Sequence, residues 1–310
     1  MEDHLMGKIL VAGSINMDIV ARMENLPRPG ETVFGNELHY IPGGKGSNQA
    51  VAASRLGENT FLIGKLGKDA FGKFLADFLG QEQLNLDYLF YSATHPTGVA
   101  LINVDQQSEN SITVVSGSNF QLSEQDVENI TIREDDVVVS VFEIPQPAIR
   151  YLFNKANHVN AKTVLNPAPA KPFLDGLLET VDYLILNEVE LAFYSGQDEE
   201  SEDIEIITEY ASKLIKRPTQ TIIVTLGSKG VICISGNETI HVDGINVDAI
   251  DTTGAGDCFT GAFAVAISEK MNIREALEFA NTAASLSVQK LGASTSMPYR
   301  KQVEDALNKK

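Results

Sequence analysis

The strongest chemical signal in the sequence is Asp251-Thr252-Thr253-Gly254-Ala255-Gly256-Asp257, which precedes the apolar run Phe259 to Ile267. Small residues ahead of a helix let backbone N–H groups point at a bound anion, and the helix dipole assists them. Asp257 falls in the first turn of that helix, where two readings are open. It can cap the helix, an effect of about 1 kcal/mol. It can instead accept a proton from an alcohol that attacks a phosphoryl group held by the loop.

A second signal is Pro42-Gly43-Gly44-Lys45-Gly46-Ser47-Asn48-Gln49, opening a helical stretch from Asn48 to Leu56. Its glycines permit close backbone approach, while Lys45 and Asn48 supply donors for hydroxyls or phosphate; a generic tight turn is the alternative. The stretch is no Walker loop, because Gly46 follows Lys45 where Ser or Thr is required, and Gly64 to Asp69 does not fit that pattern either. Other chemistries find no support. His4, His39, His95, His158 and His241 lack metal-ligand spacing. No Gly-x-Ser-x-Gly elbow occurs, and Cys233 and Cys258 form no redox pair. Both thiols are expected to be buried and reduced, with Cys258 a small packing residue.

These residues need a scaffold. Lys8 to Ala12, Thr60 to Ile63, Val137 to Phe142, Thr163 to Leu165, Tyr183 to Leu186 and Thr221 to Thr225 read as strands. Between them lie helical patterns such as Asn48 to Leu56, Ala70 to Leu79, Pro147 to Asn157 and Glu205 to Lys216. Strands apolar throughout are buried on both faces, as in a parallel sheet. The alternation predicts a doubly wound α/β sandwich with right-handed crossovers. Two stretches, about 18–41 and 97–115, read instead as strands linked by turns, with an Asp105 to Glu109 connection suggesting a hairpin. They are expected to form a small β lid on a single catalytic domain spanning 1–310. The core strands run at their carboxyl ends into Gly13 to Asp18, Glu143, Asn166, Asn187 and Thr225 to Gly227, one polar rim where open α/β sheets bind ligands. Asp198 to Asp203 reads as a solvated acidic loop, and the segment after Pro298 as a surface helix.

The 310 residues are 43% hydrophobic and 21% charged, an ordinary globular composition. Lys and Arg number 24 against 42 Asp and Glu, a formal net charge of −18. Such a surface repels nucleic-acid backbones and acidic membrane leaflets, so neither is an expected partner. The acidic start Met1-Glu2-Asp3-His4 lacks signal-peptide features, and no apolar run approaches the roughly 20 residues needed to cross a bilayer. A cytoplasmic location is expected.

The sequence resembles the ribokinases. Gly13 to Asp18, Gly43 to Ala50, Asn166-Pro167-Ala168-Pro169-Ala170, Asn187 to Glu190, Thr225 to Gly230 and Asp251 to Asp257 occur in that family's order along essentially the whole chain. The last element belongs to the wider ribokinase-like sugar and nucleoside kinases. The resemblance implies transfer of the γ-phosphoryl of ATP to the 5-hydroxyl of D-ribose; a deoxyribose, fructose or adenosine kinase is the alternative, and a sensor that binds without turnover is the rival from another class. It implies that Asn16, Asp18, the loop Gly44, Lys45, Gly46, Ser47 and Asn48, and Glu143 hold the sugar. Asp257 would be the base, with the Gly254, Ala255 and Gly256 amides as an anion hole. Asn187 and Glu190 would organise magnesium and phosphates. Thr225, Leu226, Gly227, Ser228, Lys229 and Gly230 would line the nucleotide site, with Asn281 near the adenine. A potassium site is implied at Asp251, Thr253, Ser287, Lys290, Gly292 and Ser296, and a homodimer through the β lid.

Overall fold

The computed structural model describes residues 7–57, 59–107, 109–236 and 238–309. The Met1 to His4 stretch and Ser108 of the hairpin connection lie outside them. The first half contains β1 (Ile9–Ala12), β2 (Asn16–Met23), β3 (Gly35–Gly43), α1 (Lys45–Leu56), β4 (Thr60–Gly67), α2 (Ala70–Gln81), β5 (Leu89–Ser92), β6 (Gly98–Val104) and β7 (Asn110–Val115). There follow α3 (Glu124–Val127), β8 (Val137–Val141), α4 (Gln146–His158), β9 (Lys162–Asn166), β10 (Tyr183–Asn187), α5 (Glu188–Ser195) and α6 (Ile204–Ser212). The chain ends with β11 (Thr221–Thr225), β12 (Gly230–Ser235), β13 (Glu238–Asp243), α7 (Ala255–Ser268), α8 (Ile273–Ser287) and α9 (Arg300–Leu307).

Nine strands form the main sheet in the order β13-β12-β11-β10-β9-β8-β1-β4-β5. From β11 to β5 the pairing is parallel, and the β12–β13 hairpin adds an antiparallel edge. Successive side chains of a strand point to opposite faces, so β1 serves two cores. Ile9 and Val11 join the apolar layer beneath α1, α2, α7, α8 and α9, while Leu10 and Ala12 join the layer beneath α3 to α6. Burying each such large aliphatic side chain stabilises the fold by roughly 1.5–3 kcal/mol. The doubly wound sandwich expected from the sequence is the architecture observed.

A second sheet has the order β3-β2-β6-β7 and lies outside the main one. Its strands begin at Asn16 and run to Gly43, so this part starts and ends nearer the core than the predicted 18–41 span. Two helix boundaries also differ. α1 begins at Lys45, because Gly44 at φ 95° takes the N-cap, so the expected loop residues Lys45, Gly46 and Ser47 are helical. α6 stops at Ser212, short of the predicted Lys216, and Asp203 of the acidic run caps its start. The β12–β13 hairpin escapes the strand–helix rhythm, since edge strand β13 buries only Ile240 and Val242. Both cysteines are free and buried.

Candidate active site

Three close backbone approaches assemble the site. The exit of β1 packs on the start of α1, where a Cβ on Gly46 would lie 2.4 Å from Gly13 carbonyl carbon. α1 and α7 touch at Gly261, whose Cβ would meet Gln49 O at 2.5 Å. Only glycine fits either contact, and together they bring Asn48 and Gln49 over the first turn of α7. On β3, a Cβ at Gly43 would lie 2.1 Å from Asp18 Oδ2, so the glycine makes room for that carboxylate.

Asp257 does not cap its helix. The N-cap is Gly254 at φ 77°, with no side-chain capping bond. The buried Asp257 carboxylate instead receives Asn48 Nδ2–H on Oδ2 and Gln49 Nε2–H on Oδ1, both at 3.0 Å. Asn48 is itself fixed by Ser294, whose hydroxyl donates to its Oδ1 at 2.5 Å. Gln49 also donates to Asn166 Oδ1 at 3.3 Å, and Asn166 donates to Ile185 O at 3.0 Å.

A cavity of about 220 Å³ opens beside this carboxylate, lined by Lys45, Asn166, Asn187, Glu190, Thr225 and Gly254 to Asp257 among others. Of the rim read from the carboxyl ends of the strands, Asn166, Asn187 and Thr225 line this cavity. A larger hollow of about 410 Å³ lies elsewhere, around Phe173, Tyr194 and Lys213, and contains none of the expected site residues. Gly256 and Asp257 belong to the first turn of α7, whose N–H groups have no intrahelical acceptor; Ala255 N–H is turned to Thr252 O at 3.2 Å. Asp257 foremost holds the Lys45 ammonium above the usual lysine range, aided by Glu143 and Glu190 and opposed by burial. Burial raises the Glu190 carboxyl. Asp18 is pushed up to about 7, by burial first and then by the charges of Glu143 and Asp257.

The amides of the glycine loop are taken by protein groups. Ser14 Oγ accepts from Gly46 N–H at 3.4 Å and donates to Glu143 Oε2 at 2.5 Å, while Lys45 N–H donates to the same Oε2 at 3.4 Å. The Ser47 hydroxyl turns back onto the Gly43 and Gly44 carbonyls. Buried Asn16 accepts from Asn119 Nδ2–H at 2.7 Å, and Asn119 also bonds both backbone groups of Ile15.

Asn187 and Glu190 form a capping box on α5, with Asn187 Oδ1 accepting from Glu190 N–H and Glu190 Oε2 from Asn187 N–H. That box fixes Glu190 at the cavity wall. Thr225 reaches the cavity, whereas Leu226 to Gly230 continue away from it through a turn closed by Leu226 N–H to Gly230 O. Within that turn, Lys229 pairs with Glu202. Asn281 donates to Asp243 O at 2.9 Å. The next residue, Gly244, packs so tightly on Ser228 that a Cβ would lie 1.8 Å from its carbonyl oxygen. Asn281 and Ser228 thus flank one segment.

Asp251 organises the other cluster. Its Oδ1 accepts from Thr253 N–H and its Oδ2 from Gly292 N–H, both at 2.9 Å. Burial acts to raise this carboxyl, but the Thr253 and Gly292 bonds, with the charge of Arg22, hold it below the usual range. Asp251 N–H donates to Val288 O, beside Ser287 and Lys290. Ser296 bonds Ala293 O, and Ala293 packs against Gly254. The Asp251 cluster therefore abuts the start of α7. The sequence assigned no role to Ser14, Gln49, Asn119, Asn166 or Ser294. Ser14 and Asn166 stood in the polar rim and Gln49 in the glycine loop, and those were the available signals.

The fold and site define a phosphotransferase of the carbohydrate-kinase kind. Residues 6–300 match the model of the pfkB family carbohydrate kinases, and the chain belongs to that family. It is 37% identical over 305 residues to a ribokinase of Bacillus subtilis, covering 98% of this chain and 100% of that one. It is 35% identical over 300 residues to a ribokinase of Staphylococcus aureus, covering 96% and 98% respectively. Among solved structures, Arabidopsis thaliana ribokinase complexed with ribose and ATP is similar with a TM-score of 0.89 and 35% identity, over 98% of this chain and 99% of that one.

Proposed function

We propose that the chain transfers the γ-phosphoryl group of ATP to the 5-hydroxyl of D-ribose, giving ribose 5-phosphate and ADP. The observation that carries this reading is the Asp257 carboxylate, held by two neutral amides beside the first-turn N–H groups of α7. The relatives named ribokinase, one of them solved with ribose and ATP, support the choice of substrates. Asp257 takes the proton of the 5-hydroxyl as its oxygen attacks phosphorus. Charge moving onto the transferring group and the leaving ADP meets the α7 amides and Lys45. Asn16, Asp18, Glu143 and Asn48 hold the sugar in line, which is most of what the protein supplies in phosphoryl transfer.

Magnesium suits the hard carboxylate oxygens of Glu190 at the cavity wall, with Asn187 beside it. Bound with the nucleotide, the ion neutralises charge on its phosphates. The carboxylate, hydroxyl and carbonyl oxygens of Asp251, Thr253, Ser287, Lys290, Gly292 and Ser296 suit a monovalent cation, and the resemblance to ribokinases favours potassium. The second sheet acts as a lid over the sugar. Its register puts Val20, Ile102, Ile112 and Val114 on the face that bears Asp18, and none of the four is buried. A second copy of the chain on that face would cover them.

The test is Asp257→Asn. Removing the base lowers kcat by about 10²–10⁴-fold, measured as ADP release, while calorimetry finds D-ribose still bound. Wild-type turnover by the variant refutes the assignment, and a higher kcat/KM on deoxyribose, fructose or adenosine than on ribose refutes the substrate.

A further inference from the structure

We infer that Gln49 is a positioning residue for the phosphoryl transfer: its side-chain amide holds Asp257 in the orientation of a base. This rests on the reading of Asp257 as the base. Gln49 is fully buried, and its Nε2 lies 3.0 Å from Asp257 Oδ1 and 3.3 Å from Asn166 Oδ1. The amide cannot be turned over, because its carbonyl oxygen would then face two acceptors. Asn166 is locked in turn, since its own NH₂ group is committed to Ile185 O. The orientation of Gln49 is therefore chemically determined.

That orientation has a cost. Gln49 Oε1 is buried and has no hydrogen-bond partner among the described residues. An unpaired buried acceptor is unfavourable, and an apolar side chain of similar shape would avoid it. A glutamine placed for packing alone would gain nothing from leaving that oxygen unpaired. What it does secure is a donor aimed at one oxygen of the carboxylate while Asn48 occupies the other. Each oxygen keeps a further lone pair. With both donors fixed, the carboxylate cannot rotate, and Asp257 borders the cavity in a single orientation. Asn48 belongs to the proposed sugar-binding loop, so its loss mixes binding with positioning. Gln49, the next residue of α1, is not among the proposed sugar ligands and separates the two.

The experiment compares Gln49→Leu, Asp257→Asn and the double variant, with initial rates on D-ribose and ATP and thermal melts of each. Losing a hydrogen bond to a charged group lowers kcat by about tenfold to a hundredfold. KM for both substrates stays within about twofold, and the variant still melts cooperatively, at a temperature lowered only by the two acceptors that lose their donor. In the Asp257→Asn background the same change alters the residual rate by less than about twofold, because groups acting through one another are non-additive. The inference is overturned if Gln49→Leu keeps wild-type kcat, if its loss lies in KM, or if the loss is equally large in both backgrounds while Asp257→Asn alone is crippled. If Asp257→Asn itself turns over normally, the base assignment fails and Gln49 falls with it. Should the leucine variant not fold, Gln49→Glu keeps the shape. Its carboxylate either repels Asp257 or shares a proton with it, so kcat falls at least as far, and a wild-type rate there overturns the inference too.

Discussion

Replacing Asp18 with asparagine should make the protein's stability less dependent on pH, in a direction the site geometry fixes. The Asp18 carboxyl is lifted from 3.8 to about 7, chiefly by burial and then by Glu143 and Asp257. Between those values the unfolded chain is ionised at this position while the folded protein keeps the proton. The folded state then binds more protons, so stability falls as pH rises. The favourable contribution of neutral Asp18 is fully present below pH 3.8 and is lost by about pH 7. At about 1.4 kcal/mol per pKa unit, the whole change is about 4 kcal/mol.

Asparagine mimics the neutral acid and does not titrate, so the stability of Asp18→Asn relative to wild type should grow with pH and then level off above about 7. From pH 5.5 to 7 the growth is about 2 kcal/mol, at about 1.4 per unit. Urea unfolding of both proteins at several pH values measures it, because other groups titrate in both and largely cancel in the difference. A constant difference across that range refutes the argument, as does one that shrinks. The sugar supplies a second arm. Ribose hydroxyls donate best to an ionised carboxylate, so ribose binding should tighten as pH rises through 7 and release a proton. Calorimetry in buffers of different ionisation enthalpy detects that proton for wild type and not for Asp18→Asn.

Turnover should rise when potassium replaces a bulky organic cation at constant ionic strength; an unchanged rate removes the assignment of the Asp251 cluster to a cation. Sedimentation should find a dimer, and Ile112→Lys, which puts a charge on the Asp18-bearing face of the small sheet, should shift it toward monomer; a wild-type monomer or an unaffected variant rejects that interface.

What the sequence reveals follows from how local each feature is. β1, β8, β9, β10 and β11 are legible because each is a short run of apolar residues ending in polar ones, the pattern of a strand buried on both faces. The Asn187 and Glu190 box is equally local, its partners being three residues apart, although the resemblance marks the pair for magnesium and phosphates and not as a cap. Asp257 is visible as a residue but ambiguous as a group. Its partners Asn48 and Gln49 are 209 and 208 positions away, and Ser294 reaches Asn48 across 246. No spacing rule spans such separations; they exist only once Gly261 lets two helices touch. Asn119, holding Asn16 from 103 positions away, is hidden by the same cause.

Net charge misleads at this site. A chain carrying −18 looks ill suited to a triphosphate, and Asp18, Glu143, Glu190 and Asp257 crowd together where the proposed function puts one. Yet the crowding keeps Lys45 charged. Burial alone would drive a lysine toward its neutral amine, and the surrounding carboxylates, Asp257 above all, more than reverse it. In the proposed reaction phosphate would therefore meet a charged Lys45 and a set of fixed amides rather than the average field of the surface. The same carboxylates would oppose phosphate by itself beside Lys45, so the proposed function calls for a nucleotide that carries its own divalent ion. On the proposed reading these carboxylates would favour a metal-bound nucleotide, with Lys45 the one cationic side chain among the residues that line the cavity.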